Sequence, residues 1–267
     1  MKLDALIIAA VVAGFPAHAK EAYAQGGDTQ QHEQEPLDGE WQPTVIGHED
    51  VEPYPESEPN TVTERAGVMF KPRLVVNTGC QPYPAVNDAG ETSGGLKPSG
   101  EPDSGCQGSK HGSQVYGRAI WVDDIWAIMY AWYFAKDSPI SLMGHRHDWE
   151  NIVLFIDNPA GRNPKILGCS TSWHSGYIKY APCPEDFIDG SSVMIKYEHS
   201  FPLNHALNIT EDAGEYQDLV MWHQLSDCAR LALNKTDFGE ANTPMNDQNF
   251  KAKITAAWPF ETKDDEA

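Results

Sequence analysis

Residues 144–156 read Gly-His-Arg-His-Asp-Trp-Glu-Asn-Ile-Val-Leu-Phe-Ile, and this stretch carries both fold and chemistry. From Asp148 the pattern alternates. Asp148, Glu150, Ile152 and Leu154 share one face of a strand, while Trp149, Val153 and Phe155 point the other way. A strand over 151–156 would hold the preceding cluster rigidly. That cluster packs two imidazoles, a guanidinium and two carboxylates into seven residues. Histidine, aspartate and glutamate are ligands for a divalent cation, and an oxygen-rich set favours magnesium, calcium or manganese over zinc. The two carboxylates can therefore converge on one ion at the mouth of a sheet. His145 lies just before the strand, where a loop can swing its imidazole round. Asp137 stands eight residues earlier, in a turn with Ser138 and Pro139. Trp149 reads as core, an indole wall that excludes water from the site. His147 points off the ligand face and reads as a buried, hydrogen-bonded brace, and Arg146 as the partner of a nearby carboxylate.

Outward from this strand, short β-like runs recur at 68–70, 74–77, 114–121, 166–171, 193–197 and 220–225, separated by Gly, Pro and Asn clusters. That rhythm predicts a mainly β protein, an all-β sandwich with a few helices. Helices are expected at 125–133 and 225–233. Pro53, Pro55 and Pro59 mark an extended, irregular lead-in. A chain of 267 residues suits one large domain, or one domain with appendages.

Residues 1–19 have the layout of a secretory signal: Lys2, an apolar run from Ala5 to Ala13, and a small-x-small site at Ala17-His-Ala19. The run is too short to span a bilayer. Residues 20–43 are rich in Gln, Glu, Asp and Gly and read as an acidic, disordered leader, so the folded domain is expected over 44–267. The protein is expected to be secreted and extracellular. Its formal charge of −20 repels nucleic-acid phosphates, which excludes that partner class. The same charge repels anionic lipid headgroups, and a bound cation is the natural means of overcoming that.

Five cysteines, at 80, 106, 169, 183 and 228, point to disulfides in an exported chain. Cys169 with Cys183 would close a loop around residues 173–180. Cys228 is left odd, and its amphipathic surroundings make it a buried free thiol. Two sequons, at Asn208 and Asn234, are candidate glycosylation sites, and a structural role competes at Asn234.

The heptapeptide at 144–150 resembles the signature of the necrosis- and ethylene-inducing-peptide-like proteins, a family of secreted plant-active cytolysins. The resemblance extends to Ala127-Ile-Met-Tyr130, Trp132-Tyr133 and Lys136-Asp137, which match that family's immunogenic segment. It includes Asn77-Thr-Gly-Cys80, Pro84-Ala-Val86 and Ser93-Gly-Gly-Leu96. It continues through Asp218-Leu-Val-Met-Trp222, Leu233-Asn-Lys-Thr-Asp-Phe-Gly239 and Ala241-Asn242, so roughly residues 44–262 are covered, with the motifs in family order. It implies a two-sheet β-sandwich resembling actinoporins and fungal lectins, and a bridge between Cys80 and Cys106. It also implies a divalent cation, Mg²⁺ or Ca²⁺, held by Asp137, His145, Asp148 and Glu150. Ser172-Trp-His-Ser-Gly176 resembles a family stretch that would bring His174 to the cation. Phe201-Pro-Leu-Asn-His205 resembles a loop that reaches a lipid headgroup, with Asn204 and His205 as contacts; this chain carries Phe201 where the family usually has Trp.

The function implied by this resemblance is a cytolytic toxin and virulence factor. It would bind plant plasma-membrane sphingolipids of the glycosylinositol phosphorylceramide class, damage the membrane without covalent chemistry and elicit plant immunity through receptors that read 127–150. Two other readings stand beside it. One is a metal-dependent secreted hydrolase with Glu150 as general base. The other is a non-cytotoxic, immunogenic relative.

Overall fold

A computed structural model describes residues 41–199 and 204–261. The expected signal, nearly all of the acidic leader, and Phe201 lie outside the described residues. The described residues from Gln42 onward form one compact unit. In chain order its strands are β1 (Thr44–Ile46), β2 (Arg73–Val76), β3 (Glu91–Ser93), β4 (Gln114–Val122), β5 (Ile125–Asp137) and β6 (His145–Ile156). They continue with β7 (Ile166–Trp173), β8 (Gly176–Tyr180), β9 (Ile188–Asp189), β10 (Ser192–His199), β11 (His205–Ile209) and β12 (Asp218–Met221). The helices are α1 (Val62–Met69), α2 (Asp227–Lys235) and α3 (Phe250–Ala257).

Six strands form the main sheet in the order β12-β4-β5-β6-β7-β8. A smaller sheet runs β11-β10-β2, with β9 on β10, and β1 pairs with β3. The two larger sheets meet face to face at β5 and β10, where the Phe134 and Tyr197 rings stack 3.9 Å apart and 10° from parallel. The opposite face of the main sheet is also covered. Tyr133 and Trp149 pack there against Phe238, and Phe155 against Trp258 and Phe260.

This double coverage explains the largest departure from expectation. Residues 125–133 are strand, not helix. A strand buried on both faces reads as a continuous apolar run without period-2 alternation, and periodicity alone does not separate it from a buried helix. Pairing decides it: β5 lies antiparallel between β4 and β6 and satisfies its backbone there. Its bulky, β-favouring side chains fill both cores.

Smaller departures have local causes. Residues 68–70 close α1 rather than form a strand, because a capping box between Thr61 and Glu64 starts a helix just upstream. The run at 220–225 is strand only to Met221, and the following helix starts at Asp227 with Ser226 as its cap. Both expected disulfides are present, Cys80–Cys106 and Cys169–Cys183. Cys228 is exposed, not buried: α2 turns Ala229, Ala232 and Leu233 inward and leaves Cys228 outside.

Candidate functional site

The β5–β6 hairpin sets Asp137 opposite His145, Phe134 opposite Asp148 and Trp132 opposite Glu150. His145 Nε2 lies 3.8 Å from Asp137 Oδ2. His145 is the first residue of β6 rather than part of the preceding loop. Strict alternation would place it on the Trp149 face. The ladder skips His147, whose φ is +63°, and this break returns His145 to the side of Asp148.

The smaller sheet supplies the supports. Tyr197 on β10 donates its hydroxyl to Asp148 Oδ2 at 2.7 Å. His205, opening β11, donates its backbone N–H to Asp137 Oδ2 at 3.0 Å and Nδ1–H to Asp137 Oδ1 at 2.6 Å. Its Nε2 meets the Thr78 hydroxyl at 3.2 Å. Gly79 must be glycine for this ring to fit, since a Cβ there would stand 2.7 Å from His205 Nε2. The Ser172 hydroxyl on β7 donates to Glu150 Oε2.

His145 is held in one tautomer. Its Nδ1 lies 2.8 Å from the His147 carbonyl, which can only accept, so Nδ1 carries the proton. The Nε2 lone pair is then free to take the Asn204 amide N–H at 3.0 Å, or a cation.

His145, Asp148, Glu150, Asn204 and His205 line a cleft of about 410 Å³ with Trp149, His174, Ser175, Glu240, Asn242 and Lys253, and Asp137 stands behind them, bound to His205. Asp137, Asp148 and Glu150 are all buried. Burial first, and the Asp137 charge next, push Asp148 up to about 7, against the pull of the Tyr197 hydrogen bond. Burial and the Asp148 charge hold Glu150 well above the usual carboxylate range, and Lys253 offsets only part of this.

His174 is exposed at the β7–β8 turn and reaches the cleft rim. Trp149 is core, and His147 is the expected brace, buried with Nδ1 2.6 Å from the Tyr133 hydroxyl. Burial, then Arg146, hold His147 down to about 4. Among the described residues Arg146 pairs with no carboxylate. It donates to the carbonyls of Gly94 and Gly95, because the Gly-rich turn lies nearer its guanidinium than any acid does. Asn234 is engaged by Asp247 through both ends of its amide, whereas Asn208 sits on the edge strand β11.

Three carboxylates and an imidazole with its lone pair directed inward are a donor set suited to a hard divalent cation. Among the described residues no group of three or more His, Cys, Asp or Glu side chains is spaced to hold a metal ion. Tyr197, Ser172 and His205 hold the carboxylates while their like charges oppose one another. Because the Asp137 charge raises Asp148, and both raise Glu150, positive charge placed among them relieves this opposition. In residue type and burial the residues fit such an ion, and their side chains would have to draw together to enclose it.

Residues 64–257 match the profile of the family described as necrosis inducing protein (NPP1). The chain is 58% identical over 215 residues to NLP effector protein 6 of Phytophthora capsici, covering 80% of this chain and 64% of that one, so it spans under two thirds of that effector. The crystal structure of the non-toxic HaNLP3 protein superposes with a TM-score of 0.79 at 72% identity, covering 80% of this chain and all of that one. NLPPya in complex with mannosamine superposes with a TM-score of 0.77 at 46% identity, over 82% of this chain and all of that one, and NLPPya has also been solved with glucosamine. The match spans both sheets and the cleft between them, and the chain belongs to the necrosis-inducing protein (NPP1) family.

Proposed function

We propose that this protein is a secreted effector that binds the sugar headgroup of a plant sphingolipid, of the glycosylinositol phosphorylceramide class, through a divalent cation, Mg²⁺ or Ca²⁺, held by Asp137, His145, Asp148 and Glu150. The observation that carries this reading is that two buried carboxylates, Asp148 and Glu150, and an oriented imidazole line one open cleft, with the Asp137 carboxylate 3.8 Å behind that imidazole. The amino-sugar complexes of NLPPya support a sugar as the ligand class. A bound cation would supply coordination to sugar hydroxyls. Tyr197 and His205 hold the carboxylates in place, His145 presents Nε2, and Asn204 and His174 offer polar contacts at the rim. No covalent step is invoked, and the outcome of binding is damage to the plasma membrane. Dye leakage from vesicles with and without the plant sphingolipid, in cation and in chelator, tests it.

A second reading is favoured by one observation: the 72% identical HaNLP3 is non-toxic. On that reading the protein binds the headgroup without lysing the bilayer and acts by display. Binding without leakage separates the two. A plant immune receptor that reads 127–150, which we also propose, faces a physical obstacle. Residues 127–135 are each 0% exposed, so such a receptor would need unfolded or proteolysed chain.

A further inference from the structure

Eight large hydrophobic side chains are exposed among the described residues, and three of them fall in four consecutive positions: Ile140, Leu142 and Met143. They form the tip of the loop joining β5 to β6. Leu142 is 76% exposed, more than any other of the eight.

This loop is built. Met143 N–H donates to the Ile140 carbonyl at 3.1 Å, and the Ser138 hydroxyl donates to the same oxygen at 3.2 Å. Leu142 occupies the left-handed region at φ +68°, which a leucine seldom adopts. Gly144, at φ +106°, lets the chain return: a Cβ there would stand 2.1 Å from the Asp137 carbonyl. The turn therefore closes tightly on itself while its apolar side chains face outward. Leaving them in water is unfavourable unless something covers them.

Charge and size select the occupant. Residues 138–144 carry no charge in a chain of net −20, so this tip can touch an acidic surface without repulsion. Three side chains are too few for a stable protein interface, which needs about 800 Å² from each partner. They suffice for shallow seating at the boundary of headgroups and acyl chains. The loop begins at Asp137 and ends at His145, so a headgroup held by those residues places its own bilayer against the tip.

We infer that Ile140, Leu142 and Met143 form an apolar anchor that seats in the bilayer interface when the adjoining cleft takes a headgroup. This inference rests on the headgroup reading above. The test uses full-length protein carrying Cys228→Ser, with an environment-sensitive dye at Leu142→Cys, or at Asp124→Cys in the turn at the other end of β5. Phosphatidylcholine vesicles with and without plant glycosylinositol phosphorylceramide are added in the presence of calcium or magnesium. The dye at 142 should shift to the blue and resist aqueous quencher on the sphingolipid vesicles, while the dye at 124 should not. Leu142→Ser with Met143→Ser should weaken vesicle partition about tenfold while calorimetric cation affinity is unchanged. If the parent binds these vesicles but the dye at 142 stays in water and the serine pair binds equally well, the anchor is refuted and the headgroup reading survives. If the parent binds no vesicle although it binds cation, both are refuted.

Discussion

Tyr197 and His205 lie face to face, their ring centroids 4.6 Å apart and 12° from parallel, and each donates to a different buried carboxylate, Asp148 and Asp137. Phe134 continues the stack on the other side of Tyr197. The position of Asp137 relative to Asp148 is thus set by one column of rings that spans the two sheets. Packing in the sandwich core and geometry at the site are the same contacts. Tyr197→Phe keeps the ring and removes the donor, so it should lower cation affinity about tenfold, as loss of such outer supports does. The stability change should stay near 1 kcal/mol. Calorimetric titration beside a denaturant curve checks both; unchanged affinity would mean the hydroxyl positions nothing.

Asp148→Ala should abolish cation binding and leave unfolding cooperative, because a carboxylate at the cleft is lost rather than core volume. In the parent, protons compete with the cation. Asp148 is pushed up to about 7, so affinity should rise between about pH 6 and 8. The stability of the cation-free protein follows the opposite course. A carboxyl whose folded pKa is raised contributes stability below its unfolded value of 3.8, and this is lost as pH rises through about 7. Cation should restore stability most at the alkaline end, and thermal melts across pH with and without magnesium read this directly.

Glu64 provides the contrary sign. It closes the first turn of α1, accepting the Asn60 and Thr61 amides and facing His223 Nε2 at 2.8 Å. The His223 hydrogen bond, working against burial and aided by those amides, lowers it to about 2. Its contribution is therefore present above its unfolded value of 4.5 and is lost as pH falls through about 2. Screening at half-exposed His223 makes about 3 kcal/mol an upper bound. Glu64→Gln should flatten this acid limb of the stability curve and leave cation affinity untouched. An unchanged limb would show that Glu64 does not set it.

The Cys80–Cys106 bridge closes a span of 26 residues. Inside it, Lys136 holds the carbonyls of Ser99 and Glu101, and Arg146 those of Gly94 and Gly95. Cys80→Ser with Cys106→Ser should cost about 3–4 kcal/mol by the chain-entropy argument. Those four hydrogen bonds should keep the loop near its place, so cation affinity should hold. A large loss of affinity would tie the bridge to the site.

The sequence around Asp148 was legible because it belongs to one strand: alternation put Asp148 and Glu150 together and Trp149 away, as in the structure. The sandwich was legible from the spacing of its shorter strands. What failed was β5, where burial on both faces removed the alternation that marks a strand. At His147 the positive φ that reorients His145 has no signature in a non-glycine residue. The supporting roles of Tyr197 and His205 were also hidden, since Tyr197 lies 49 residues from Asp148 and His205 lies 68 from Asp137. Tyr197 read only as part of a β-like run, and His205 as a headgroup contact. Neither local pattern nor spacing joins residues that meet only when two sheets close.

The most direct measurement is association with vesicles containing plant glycosylinositol phosphorylceramide, followed in calcium or magnesium, in chelator, and with added sodium chloride. A chain of −20 and an anionic surface repel over about 8 Å at physiological salt. If the cation bridges cleft to headgroup, chelator should abolish binding, while moderate sodium chloride should leave it unchanged or improve it by screening. Binding that persists in chelator and collapses with salt would contradict the bridge.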